Sequence, residues 1–342
     1  MASHVKSLGH KPVIFSPKNG ELYNRGLEAS INVVPISWKK NNYFNPIFLF
    51  GLYEKIRNEK IDVIIFNSFI DIRDAGIVSF LAGVKKRILR VGMPIIPKKN
   101  FTYKISFKIG LSHFVGISNE IYNIFDKSGF VDKKIKFMIP NGINLSKFQF
   151  YPDRFFDRSK DIRFGNCVRL SKQKGLHGFI EIVEDLSTNF PKGSFVLAGD
   201  GEEKENLLEY AAKKSVANKI KFLGHLENVS TFYRNIDVLI FTSHYEGTAR
   251  TILEAMSSGV LVFCFDTSSM SEMIENGFDG FKVEPFDYGS FAEKIINVFN
   301  TYSLEQLREV GRNARKTVEE KYSKDKNFNK WAEVILGQPN SK

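Results

Sequence analysis

The chain reads as an α/β protein with parallel sheets divided between two domains. Three observations predict this. Short runs of β-branched and aromatic residues, such as DVIIFNS (62–68), DVLIFTS (237–243) and VLVFCF (260–265), have the continuous apolar character of strands covered on both faces. Segments with helical spacing follow these runs, as βαβ units require. The 342 residues suffice for two domains of ordinary size, each with its own core.

Composition narrows the class. With 43% hydrophobic and 25% charged residues the chain reads as soluble and globular, without a long disordered region. Its two cysteines, Cys167 and Cys264, have no metal or disulfide spacing and fall in apolar runs, as buried thiols of a reducing compartment do. No apolar stretch reaches the length of a membrane span, and the first residues lack the pattern of a signal peptide, so a cytoplasmic location is expected. The net charge of +11 sits entirely in the first half: residues 1–150 hold 23 Lys and Arg against 10 Asp and Glu, the remainder 26 against 28. Such asymmetry points to an anionic partner, a membrane surface or a nucleic acid, and equally fits a lysine-rich coding bias. No nucleic-acid motif is present to favour the second partner.

In chain order, MASHVKSLGHKPVIFSP reads as a helix that turns at Gly9 and His10 into a strand over 12–16. Strand-like ASINVVPIS (29–37), a helix around 49–59 and DVIIFNS continue the series. Asp71, Arg73 and Asp74 follow at the expected sheet edge, where Asp71 equally suits a helix cap. From Lys85 to Lys108 lie Lys85, Lys86, Arg87, Arg90, Lys98, Lys99, Lys104 and Lys108, interleaved with Ile95, Ile96, Phe101, Tyr103 and Phe107. Cations beside apolar side chains suit anionic lipid headgroups, or form an ordinary solvated face. From Phe101 to Leu111 the apolar residues alternate as in a strand. A strand and helix then occupy LSHFVGISNEIYNIF, and KKIKFMIP holds the last strand of the domain. PNGIN (140–144) is a turn, and YPDRFFDRSKD (151–161) is the expected linker.

The second domain opens with DIRFGNCVRL as a strand, followed by RLSKQKG (169–175). Arg169 and Lys174 there can hold a diphosphate from two sides, or make a solvated basic turn. SFVLAGDGEEKENL is a strand, a tight turn and a helix; Gly199 and Gly201 allow close approach of a nucleotide, or serve the turn alone. It lacks the G-x-G-x-x-G fingerprint of nicotinamide-binding folds. KIKFLG (219–224) is the next strand. The most informative stretch is HYEGTARTILEAMSSGVLVFCF (244–265), a strand–loop–helix corner whose helix is expected over 248–257, ended by Gly259. Its free N–H groups at Thr248, Ala249, Arg250 and Thr251 point at the carboxyl edge of the sheet and suit a phosphate. Glu246 in the loop and Glu254 about two turns into the helix then face neutral hydroxyls, since acids beside an anion would otherwise repel it; two solvated acids are the plainer reading. His244 is the histidine best placed beside them.

EGTARTILEAMSSGVLV resembles the donor-site motif of the family 4 retaining glycosyltransferases (glycosyltransferase group 1 type), which have the GT-B fold of two Rossmann-like domains facing across a cleft. RLSKQKG resembles that family's diphosphate-binding motif, with Val168 where Gly is common. SSMSEMIENGFDGFKVEP matches its usual continuation, and PNGIN its domain junction, with Asn144 where Asp is usual. The resemblance implies an acceptor-side domain over 1–150, a donor domain over 151–320, and a C-terminal helix crossing back with a tail over 321–342. It gives Glu246, Lys174 and Arg169 the catalytic positions. Gly201, Gly247, Thr248, Ala249, Arg250, Thr251 and Glu254 become donor-binding, Glu246 meeting the sugar and Glu254 the ribose. No cofactor or metal is implied. Asn67 stands where many members have an acceptor-side His, and Asp71 and Arg73 are its candidate replacements. The family has a strand and a Gly-rich loop before the first helix seen here, and a helix where residues 101–111 alternate. Neither the strand nor the loop is present; either Met1 is an internal methionine or the chain is a truncated remnant.

The expected reaction is transfer of a sugar, with retention, from a nucleotide-diphosphate sugar to a glycan or lipid-linked acceptor, in cell-surface polysaccharide or lipopolysaccharide synthesis. Peripheral contact with the inner face of the cytoplasmic membrane accompanies it. The alternative is an inactive nucleotide-binding partner of an active enzyme. An epimerase or a phosphorylase of the same fold would need acid/base groups or a cofactor-lysine motif that the sequence does not show.

Overall fold

The computed structural model describes residues 1–37, 44–98, 100–132, 134–152 and 161–337. Lys99, most of the expected linker and the last five residues of the expected tail lie outside these. Two compact units make up the chain, Met1–Ile139 with Asn327–Lys342, and Pro140–Lys326. The division thus falls at the Pro-Asn-Gly turn, earlier than residue 150.

The first unit runs α1 (Ala2–Ser7), β1 (Val13–Ser16), α2 (Glu21–Glu28), β2 (Asn32–Pro35), α3 (Pro46–Asn58), β3 (Val63–Phe66), α4 (Phe69–Leu81), β4 (Lys86–Val91), α5 (Phe101–Ile105), β5 (His113–Gly116), α6 (Asn119–Asp126) and β6 (Ile135–Met138). All pairings are parallel. β1 and β2 form a pair of their own, and β3-β4-β5-β6 form a four-stranded sheet in sequence order. Val13, Ile14 and Phe15 of β1 and Val63, Ile64 and Ile65 of β3 are only half-buried, although parallel strands are ordinarily covered on both faces.

The alternation over 101–111 does not form a strand. Phe101–Ile105 is helical and continues as a π-helical turn over Ser106–Gly110. Packing decides this: Phe107 is buried, while Phe101, Lys104 and Lys108 face outward. Ser106 Oγ donates to the Arg73 carbonyl of α4 at 3.3 Å.

The second unit comprises β7 (Arg163–Cys167), α7 (Leu176–Asn189), β8 (Ser194–Ala198), α8 (Lys204–Lys213), β9 (Ile220–Gly224), α9 (Val229–Arg234), β10 (Val238–Phe241), α10 (Arg250–Ser257), β11 (Leu261–Phe265), α11 (Ser268–Met273), β12 (Phe281–Val283), α12 (Tyr288–Thr301) and α13 (Leu304–Lys321). Its parallel sheet has the order β12-β11-β10-β7-β8-β9. β7, β8 and β9 run outward on one side, β10, β11 and β12 on the other, so the topology reverses between β7 and β10. Crevices at such a reversal, outside the carboxyl ends of the strands, are where open α/β sheets bind ligands. β10 and β11 are wholly buried, as their unbroken apolar runs require.

The last helix, α14 (Lys324–Leu336), places Trp331, Val334 and Ile335 against Ile88, Val115 and Ile139 of the first unit's core. Lys86 Nζ donates at 3.0 Å to the carbonyls of Val334 and Ile335 near its C-terminus, where a cation is favourable. Among the described residues no helix is long and apolar enough to cross a membrane.

Candidate functional site

The loops after β7 and β10 flank the reversal, and backbone contact locks them together. The β7 loop ends in a single turn of 3-10 helix, Lys172–Lys174, and leaves it through Gly175 in the left-handed region at φ +60°. A Cβ on Gly175 would lie 2.3 Å from the Thr242 carbonyl oxygen, so only glycine allows the approach. Three hydrogen bonds close the junction: His244 N–H to Gln173 O at 2.9 Å, Gln173 Nε2 to Tyr245 O at 2.7 Å, and Thr242 Oγ1 to Lys174 O at 3.0 Å.

This clamp brings Lys174 and Glu246 side by side. Lys174 Nζ pairs with Glu246 Oε1, the side chains being 17% and 11% exposed. The Glu246 backbone is held from the other side, since Ser268 Oγ donates to its carbonyl at 2.9 Å. His244 lies beside the pair in sequence with its ring edge-on to Phe286 at 5.2 Å, and burial lowers its pKa, which favours neutral imidazole.

The helix begins later than its sequence suggests. α10 starts at Arg250, with Ala249 as its N-cap, and Glu254 therefore lies about one turn in, where the sequence suggested two. Alanine offers no capping side chain, and Thr248 is instead engaged by Asn141 Nδ2 at 3.4 Å. Among the described residues, the N–H groups of Ala249, Arg250 and Thr251 carry no hydrogen bond. The Thr251 hydroxyl ties the helix start to the end of β7 through the Cys167 carbonyl at 3.0 Å.

Glu254 is buried, and its carboxylate is held between two donors. Tyr233 Oη donates to Oε2 at 2.9 Å, and Arg250 Nη2 lies 3.5 Å from Oε1. Burial raises the Glu254 pKa, opposed by the bonds from Tyr233 and Arg250. Burial, with the Glu254 charge adding to it, pushes the Cys167 thiol up to about 12, so this cysteine stays a neutral packing group. Cys264 is buried and likewise shifted upward by burial.

The other sequence candidates are placed differently. Arg169 is 74% exposed and pairs with Glu202 at 3.1 Å, leaving Lys174 as the cation joined to Glu246. Gly199 and Gly201 accommodate the neighbouring loop: an added Cβ would meet the carbonyl oxygens of Val168 and Leu170 at 1.8 and 2.3 Å. In the first unit Asp71 is engaged in a capping box, accepting from Ser68 N–H at 2.9 Å and from Asn67 N–H at 3.1 Å. Arg73 Nε bonds buried Asp74 at 2.7 Å and its guanidinium lies over the Tyr103 ring. Asn67, Asp71 and Arg73 thus cluster at the start of α4. Sequence reading missed Ser268 and Tyr233. Nothing local marks Ser268; an aromatic with a polar tip beside a buried strand was the available signal for Tyr233.

A carboxyl whose pKa rises on folding favours the protonated native state. Its contribution is full below the unfolded pKa and is lost as pH rises through the folded one. Ionised Glu254 therefore costs stability at neutral pH in the unliganded chain. Glu254→Gln is expected to raise the melting temperature at pH 7 relative to wild type, and to raise it less at pH 4. Thermal unfolding at the two pH values checks this.

The family model described as glycosyl transferases group 1 matches residues 149–317. The capsular polysaccharide biosynthesis glycosyltransferase CapM of Staphylococcus aureus is 26% identical over 270 residues, covering 73% of this chain and 70% of that protein. An Escherichia coli UDP-Gal:alpha-D-GlcNAc-diphosphoundecaprenol alpha-1,3-galactosyltransferase is also 26% identical, over 268 residues, covering 73% and 69%. A crystal structure of Anabaena HepE in complex with UDP superposes with a TM-score of 0.84 at 18% identity, covering 98% of this chain and 95% of that one. That likeness establishes the GT-B architecture. Residues 149–317, which carry the clamped loops, Lys174, Glu246 and Glu254, match the glycosyl transferases group 1 family.

Proposed function

We propose that the chain transfers a sugar from a nucleoside-diphosphate sugar to a glycan or lipid-linked acceptor of the cell surface, with retention and without a metal ion. The observation that carries this reading is the buried Lys174–Glu246 pair beside the N–H groups that open α10, which carry no hydrogen bond among the described residues. As the bond from the anomeric carbon to the diphosphate breaks, its electron pair passes to the phosphate oxygen. Catalysis then consists mainly of positive potential fixed in advance where that charge grows. Lys174 and the N–H groups of Ala249, Arg250 and Thr251 supply it. Arg169, exposed on its pair with Glu202, can swing to the outer phosphate.

Glu246, with one oxygen on Lys174, offers the other to a sugar hydroxyl. Glu254 receives the ribose diol. The acceptor hydroxyl attacks from the side the diphosphate leaves, and its proton passes to the departing phosphate oxygen, so the reaction needs no side-chain base. The acceptor class follows the relatives. One is named for capsular polysaccharide, one acts on a diphosphoundecaprenol-linked sugar, and a third of Staphylococcus aureus is a poly(ribitol-phosphate) alpha-N-acetylglucosaminyltransferase.

A lipid-linked acceptor lies at a membrane, and the first unit has a surface suited to it. From Lys85 to Asn119 there is no Asp or Glu. Phe101, Ile95 and Ile96 are 75%, 56% and 39% exposed among the exposed Lys98, Lys104 and Lys108. Cations with apolar side chains between them suit an anionic headgroup layer. The proposed location is the cytoplasm, at the inner face of the membrane.

Lys174→Ala and Glu246→Ala are each expected to lower turnover at least about a hundredfold, the loss typical of removing one such stabilising group, while EDTA leaves turnover unchanged. Near-wild-type turnover in either variant contradicts the site, and loss of activity in EDTA contradicts metal independence. Binding to phosphatidylglycerol vesicles, read by sedimentation, is expected to fall at least about tenfold in Phe101→Ser/Lys104→Gln. Unchanged binding removes this surface from the account.

A further inference from the structure

Glu254 is oriented by a residue outside the glycosyltransferase motif. Tyr233, in α9, is fully buried, its ring packed against Phe232 at 5.3 Å and Phe148 at 5.9 Å. Its hydroxyl donates to Glu254 Oε2 at 2.9 Å. A buried phenol needs a polar partner and a buried carboxylate needs donors; here each meets the other's requirement. The second donor, Arg250, differs in kind. Its side chain is 73% exposed and its approach to Oε1 is the longer one, at 3.5 Å. The Tyr233 ring is fixed by its packing, whereas the Arg250 side chain is free to move aside for a ligand. With Oε2 committed to a fixed donor, the rotation of the carboxylate is set, and Oε1 remains for an arriving hydroxyl.

We propose that Tyr233 is a positioning residue: it holds Glu254 by Oε2 so that the carboxylate meets the ribose diol, and thereby sets the preference for ribonucleotides over nucleotides lacking that diol. This rests on the donor-site reading above. Removing the phenolic hydroxyl leaves the Cβ and ring in place and frees the carboxylate to turn, so the loss falls on ligands that use the diol. A residue that only packs the core would weaken all nucleotides alike.

The test is calorimetric titration of the purified full chain with UDP, GDP, ADP and CDP, then with the 2′,3′-dideoxy form of whichever binds most tightly. Wild type is expected to favour the ribonucleotide by at least about tenfold, the worth of one hydrogen bond to a charged group. Tyr233→Phe is expected to lose about tenfold in affinity for the ribonucleotide and to bind the dideoxy form within about twofold of wild type. On a Glu254→Gln background the same change adds nothing. Full ribose preference in Tyr233→Phe, or equal weakening of both ligands, overturns the inference while leaving the donor site standing. Failure of wild type to bind any of the four diphosphates overturns the donor site itself, and this inference with it. Should Tyr233→Phe not fold, 3-fluorotyrosine at position 233 gives a second readout. Its fluorine resonance is expected to shift with the ribonucleotide and stay in place with the dideoxy form; equal shifts overturn the proposal.

Discussion

The ion pair of Lys174 with Glu246 depends on two loops that are far apart in sequence, and most of what surrounds it keeps those loops in register. Gly175 allows the Thr242 carbonyl to approach, three hydrogen bonds close the junction, and Ser268 holds the Glu246 backbone from the far side. Both loops leave the sheet where its strand order reverses. A lysine on a flexible stem is a poor electrostatic device unless its ammonium is fixed and shielded from water. The buried clamp supplies both conditions, and the carboxylate keeps the cation from being an uncompensated buried charge while no anion is bound.

The same region accepts instability for function. Glu246 and Glu254 are both buried, and the burial of Glu254 works against its ionised form. Among the described residues, three N–H groups at the start of α10 have no hydrogen-bond partner beside them. Such groups are unfavourable in an empty site and become favourable once hydroxyls and phosphate oxygens arrive. The dense sheet beneath, with β10 and β11 wholly buried, gives the second unit a core able to carry that cost. The first unit is looser, with β1 and β3 half-buried and its strands divided between two sheets.

Much of this was legible in the sequence, for physical reasons. Fully covered parallel strands must be unbroken apolar runs, so DVLIFTS and VLVFCF marked β10 and β11 directly. Glu246, Glu254 and Lys174 stood out through the resemblance of EGTARTILEAMSSGVLV and RLSKQKG to the family's motifs, since their spacing alone fits two solvated acids and a basic turn as well. What escaped were outcomes of tertiary packing. The helix start shifted from Thr248 to Arg250 because Ala249 cannot cap and Asn141 engages Thr248 from more than a hundred residues away. Arg169 turned to Glu202, a partner supplied by the next βα turn. Residues 101–110 alternate like a strand yet coil into α- and π-helical turns, since Phe107 and Ser106 pack inward beside α4. Asp71 and the Tyr233–Glu254 bond show the two sides of the same limit. A capping box is local and could be foreseen, whereas a hydroxyl reaching a carboxylate across two helices could not.

The central claim is that the clamped loops and the start of α10 form one anion site continuous with a diol site at Glu254. A crystal structure of the chain with a bound nucleoside diphosphate tests it most directly. The account predicts the terminal phosphate on the N–H groups of Ala249, Arg250 and Thr251 with Lys174 alongside, and the ribose hydroxyls on Glu254. A nucleotide whose phosphates lie away from α10, or whose ribose leaves Glu254 untouched, would contradict it.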